Sequence, residues 1–155
     1  MTDARFEDAN EAPLNLGALD EQDLEVLASL TQDAVFPVTE MKWDRTTGRF
    51  ALLLNRFRWE DAQLRAQRPE RVQSILAFDT VKGVATSGID RADTDTILSL
   101  LTLRFEPVQV PSGRLLLTLA GDGAIRLDVE AIEVTLRDVT KPYIAPSGQT
   151  PVHPD

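Results

Sequence analysis

The chain has 155 residues, no cysteine, one histidine and a formal net charge of −9. That length fits one domain, and the missing cysteines exclude disulfides, thiolate metal sites and cysteine nucleophiles. No run approaches the roughly 20 apolar residues that cross a bilayer as a helix.

The charge is unevenly spread. Residues 1–33 hold nine of the 25 acidic side chains and one of the 16 basic ones, leaving 16 and 15 for the rest. An acidic end of this kind repels nucleic acid and anionic lipid, so neither is an expected partner. It lacks the basic start and apolar segment of a signal peptide, which gives a cytoplasmic reading.

Residues 1–17 read as a flexible acidic arm. A helix follows at 20–32: Asp20 is placed as N-cap, Glu21 and Asp23 suit the positive end of the helix dipole, and Leu19 can staple onto Leu24. Leu24, Leu27, Ala28 and Thr31 recur at helical spacing. Val35–Trp43 has strand composition, but Pro37 cannot donate to a ladder and predicts an edge or a break. Arg45–Gly48 is a turn, and Phe50–Phe57 is an apolar strand that forms a hairpin with the preceding one.

Residues 58–70 show no period and read as a long polar loop. Strands return at 71–78 and 81–87, with a turn at Asp79-Thr80. Gly88–Asp93 is a second turn, from which Asp90 or Asp93 would cap a short helical turn running into Ile97. Leu101, Leu103 and Phe105 alternate with polar residues until Pro107 ends the strand. Leu115–Leu119 and Ile125–Val129 form a hairpin around Ala120-Gly121-Asp122-Gly123. The apolar parity slips near Ala131, which predicts a β-bulge or sharp bend there, the kind of device that closes a barrel or moves a strand between sheets. Residues 144–155 are a proline-rich tail.

These elements sum to a single globular domain at 18–143. It is α+β and mostly antiparallel β: a curved sheet or open barrel of about seven strands with one N-terminal helix, pleckstrin-homology-like in strand count.

The chemistry is sparse. His153 is the sole histidine and lies in the tail, which removes histidine triads, general bases and metal sites from the domain body. Asp90, Asp93 and Asp95 have hard oxygen ligands but lack the glycine and distal glutamate of a calcium loop. Phosphate-loop, dinucleotide and nucleophile-elbow motifs are missing. Five arginines between Arg56 and Arg71 surround Phe57 and Trp59, a composition that suits phosphate or stacked bases, although Glu60, Asp61 and Glu70 oppose it.

Four segments occur together: Ala18–Val35, Gly48–Glu60, Gly88–Asp95 with Arg104–Pro107, and Gly123–Glu130. In this order they resemble a family of small uncharacterised alphaproteobacterial proteins catalogued only as a domain of unknown function. The resemblance covers residues 18–143 and implies a bacterial cytoplasmic origin. It brings no activity, cofactor or catalytic residue with it.

The expectation is a non-catalytic interaction or ligand-binding module, without cofactor or metal, for an unknown protein or small ligand. Its candidate surface comprises Arg56, Trp59, Asp90, Arg91 and Asp93. The Pro37 strand edge and the apolar Leu116 would support a homo-oligomer. The alternatives are an enzyme that uses Asp90 or Asp93 with an arginine anion clamp, and nucleic-acid binding through the Arg58–Arg71 loop.

Overall fold

The computed structural model describes residues 13–57, 70–139 and 143–144. Asn15–Ala18 forms β1, so regular structure begins inside the segment read as an arm. Helix α1 spans Glu21–Leu30, and the Oδ1 of its N-cap Asp20 accepts the Asp23 N–H at 2.8 Å. Leu24, Leu27 and Leu30 form its buried stripe. The expected staple is not made, because Leu19 is 76% exposed.

The strands that follow are β2 (Val35–Pro37), β3 (Met41–Asp44), β4 (Arg49–Phe57), β5 (Glu70–Phe78), β6 (Val81–Ser87), β7 (Ile97–Gln109), β8 (Ser112–Leu119), β9 (Ala124–Val129) and β10 (Val134–Asp138). With β1 this makes ten strands in place of about seven, and a two-residue β11 (Tyr143–Ile144) pairs with β5. Pairing is antiparallel and runs β1-β10-β5-β4-β2-β7-β8-β9-β6, open at β1 and β6, with β3 beside β4.

Three-residue β2 is the joint. Val35 pairs with Asn55 on one side and Ser99 on the other, and Pro37 stops the strand as its missing donor requires. To one side lies a first sheet, β1-β10-β5-β4, and to the other a second sheet, β7-β8-β9-β6. One core contains inward residues of both, among them Leu52, Leu76 and Leu136 from the first sheet and Leu103, Leu117 and Leu127 from the second. Alternation sets this: along β4, Phe50, Leu52, Leu54 and Arg56 are buried while 51, 53 and 55 are not. Helix α1 packs against β1 and β7 and contributes its stripe to the same core.

Two crossovers pass the chain between the sheets side by side. Asp79-Thr80 carries it from β5 to β6, and Glu130–Glu133 carries it from β9 to β10. Thr80, at φ +57°, donates its hydroxyl to the Ala131 carbonyl at 3.0 Å and accepts the Ala131 N–H at 3.3 Å. The Asp79 N–H reaches the Glu133 carbonyl and the Glu130 N–H the Thr80 carbonyl. The parity slip at Ala131 is therefore a change of sheet.

Two further expectations fail. Residues 88–96 contain no helical turn: Asp90 Oδ1 accepts the Ala92 N–H at 3.0 Å and Asp93 Oδ1 the Asp95 N–H at 3.2 Å, so both aspartates close turns instead of capping a helix. Pro107 does not end β7, which continues to Gln109. Beyond Ser99 the edge of β7 facing away from β8 has no strand partner among the described residues, so the missing donor disturbs no second ladder.

Candidate ligand-binding surface

The predicted site residues separate. Arg56 shares parity with the inward face of β4 and is fully buried. Its Nε donates to Ser74 Oγ at 3.0 Å, and one Nη donates to both Asp138 oxygens at 2.9 and 3.2 Å. Ser74 Oγ donates to Asp138 Oδ1 at 2.6 Å, and the Leu14 N–H donates to Oδ2 at 2.8 Å. The Arg56–Ser74–Asp138 cluster thus ties β4, β5, β10 and the residue before β1 together from inside, and Arg56 presents no guanidinium to solvent. This corrects its placement on a binding surface. Trp59 lies outside the described residues. Nearby, the Arg71 guanidinium sits 3.9 Å from the centroid of the Phe57 ring and donates to Asn55 Oδ1 at 3.0 Å.

Asp90, Arg91 and Asp93 are exposed in the turn between β6 and β7, together with Asp95. A general acid or base must reach its substrate's proton in a site that holds the substrate, whereas these carboxylates lie exposed and two of them are engaged in turn bonds. Among the described residues no three His, Asp or Glu side chains converge as metal ligands. The turn is held against the β8–β9 turn: a Cβ on Gly88, which has φ +68°, would stand 2.8 Å from the Asp122 carbonyl oxygen.

The outer face of the second sheet adjoins these turns. Its partners across β7, β8, β9 and β6 fall in rows. One row is Glu106, Arg114 and Asp128; the next is Arg104, Leu116, Arg126 and Ala85; the third is Thr102, Thr118, Ala124 and Ser87. Their chain neighbours Leu103, Leu115, Leu117, Ile125 and Leu127 are buried, so these rows face outward.

In the first row the one cation is outnumbered by two carboxylates. Arg114 lies 3.7 Å from Glu106 and 3.5 Å from Asp128. In the second row, Arg126 is only loosely placed at 3.8 Å from Asp128, and Arg104 meets no carboxylate among the described residues. Between these arginines Leu116 forms the floor of a hollow of about 300 Å3, whose wall includes Ala85, Ser87 and Thr118.

Sequence reasoning passed over Arg104 and Arg126. The signal was available: the Ala120–Gly123 turn fixes the hairpin register and puts Arg126 opposite Leu116, while Leu116 is an apolar residue on the outward parity of its strand.

Comparison with known proteins adds one finding. The sequence model of the family described as Protein of unknown function (DUF2948) matches residues 14–153. No curated protein and no solved structure matches the chain.

Proposed function

The chain belongs to the DUF2948 family, and we propose that it is a non-catalytic binding module of the alphaproteobacterial cytoplasm that recognises a protein or small ligand on the outer face of its second sheet. What carries the reading is the row Arg104–Leu116–Arg126, a rigid strip of exposed cations around an apolar floor on a chain whose net charge is −9. Asp90, Arg91 and Asp93 belong to the rim of that face through the contact of Gly88 with the 120–123 turn. Binding surfaces of this kind form where loops border a rigid scaffold. The described segments contain no helix long and apolar enough to cross a membrane.

The carboxylate-enzyme alternative draws no support from exposed aspartates, and the nucleic-acid alternative rests on residues 58–69, outside the described segments. The test is affinity capture of the tagged protein from its own host, with the R91E/L116E variant in parallel. Wild type is expected to retain a partner or ligand that the variant loses. Equal retention by both forms would remove this face from consideration.

A further inference from the structure

The geometry points to the hollow on the second sheet as a site for a small phosphorylated molecule with a flat apolar body. This inference deepens the reading of that face as the recognition surface and rests on it.

Arg104 and Arg126 flank Leu116 in one cross-strand row, so their Cα atoms stand two strand spacings apart, about 10 Å. Both side chains are exposed. Arginine arms of that separation can converge on one anion above the central strand. Arg104 meets no carboxylate among the described residues, so its guanidinium keeps its capacity for a ligand. Arg126 has only the 3.8 Å approach of Asp128, longer than a hydrogen bond.

Several features select the ligand class. Two guanidinium forks supply more donors than one carboxylate accepts, whereas a phosphate offers three terminal oxygens to be shared between them. Thr118 and Ser87, in the adjacent row, add hydroxyl donors at the wall of the hollow. Leu116 gives the floor an apolar surface against which a ring can lie, and about 300 Å3 is at the small end of ligand sites. The positive strip is one row deep. Glu106 and Asp128 border it on one side, and the turns carrying Asp90, Asp93, Asp95 and Asp122 lie beyond the third row on the other. A single phosphate fits between these acidic margins, and the next phosphates of a polyanion would meet carboxylates.

The test uses the full chain, isotopically labelled for amide NMR at low salt, with phenyl phosphate as probe and benzoate and inorganic phosphate as comparisons. Phenyl phosphate is expected to give saturable shifts clustered at residues 85–87, 104, 116–118 and 124–126, and to bind tighter than either comparison. R104Q and R126Q should each weaken it about tenfold, the loss of one charge-assisted interaction. R45Q, in the exposed β3–β4 turn, should leave it unchanged. Because both arginines are exposed, amide spectra of the variants should otherwise overlay on wild type.

Three outcomes overturn the inference: no saturation, binding by R104Q and R126Q equal to that of wild type, or tighter and steeply salt-dependent binding of an oligothymidylate. Loss of the captured partner in R91E/L116E with phenyl phosphate silent would end the phosphate assignment and leave the recognition face standing. Failure of both would end both.

Discussion

Both carboxylate oxygens of Asp138 are engaged: Oδ1 by Arg56 and Ser74, and Oδ2 by Arg56 and the Leu14 N–H. The Arg56 and Asp138 side chains are 0% and 1% exposed. A buried pair is a weak source of net stability, yet removing one partner strands the other charge. Asp138→Asn should therefore cost about 3–5 kcal/mol in urea unfolding. The double variant R56M/D138L, which removes both charges at similar volume, should recover most of that loss. If the double variant were as unstable as the single, the pair would be contributing more than mutual compensation. This site was half legible in the sequence. Strict alternation puts Arg56 with Phe50, Leu52 and Leu54, and Asp138 with Val134 and Leu136. The surrounding arginines of the Arg56–Arg71 run masked that parity and suggested a ligand-binding surface. Gly113 makes a second single-residue case. Its missing Cβ would stand 2.5 Å from both the Glu106 carbonyl oxygen and the Phe105 ring, so Gly113→Ala should destabilise by about 1–3 kcal/mol through overpacking. The thermal midpoint checks it.

The elements were easier to read than their partners. Helix α1, the break at Pro37, the β3–β4 and β8–β9 hairpins and the two strands around Asp79-Thr80 all form where composition and period place them. Short-range signals sufficed there, because caps, turns and alternation are local. Pairing across β2 was not legible, since nothing local tells Val35 that it will join Asn55 and Ser99; of the two crossovers, the parity slip signalled the one at Ala131, and no local pattern signalled the one at Asp79-Thr80. Ten strands instead of seven also remove the count that suggested a pleckstrin-homology-like barrel. The crossovers depend on Thr80, a β-branched residue at φ +57°, where such side chains are strained. Its hydroxyl is what holds Ala131 from both sides. Thr80→Val keeps the shape, removes the hydroxyl and leaves two backbone groups of Ala131 without it. It should cost about 1–3 kcal/mol. Amide exchange should quicken at Glu130 and Asp79, which are bonded across the same junction. Unchanged exchange there would mean that the backbone bonds alone hold the two corners together.

At the scale of the whole molecule, the question is whether two sheets joined by a three-residue strand unfold as one. Among the described residues, strand pairing connects them only at β2, where Phe36 pairs with Leu98 between the Val35 and Pro37 contacts. Side chains connect them far more extensively. The same cluster holds Leu52, Leu76 and Leu136 of the first sheet, Leu103, Leu117 and Leu127 of the second, and the Leu24–Leu27–Leu30 stripe of α1. Each sheet has one apolar inner face, and separating them would expose both faces to water at about 25 cal/mol per Å2. That cost greatly exceeds what a few ladder bonds at β2 contribute, at about 1 kcal/mol each. Cooperativity should accordingly come from the shared core, and either sheet alone should have no stable folded form. In urea, the loss of native amide signals from β4 and β5 should coincide with that from β8 and β9, and both with the loss of far-ultraviolet circular dichroism. A midpoint for the second sheet above that of the first would show that the hairpins β7–β8 and β8–β9 stand alone. In that case the Arg104–Leu116–Arg126 strip would survive on a partly unfolded chain. Coincident transitions tie the proposed recognition face to the integrity of the entire domain, so that a core lesion as distant as Asp138→Asn would weaken binding only by depopulating the folded state.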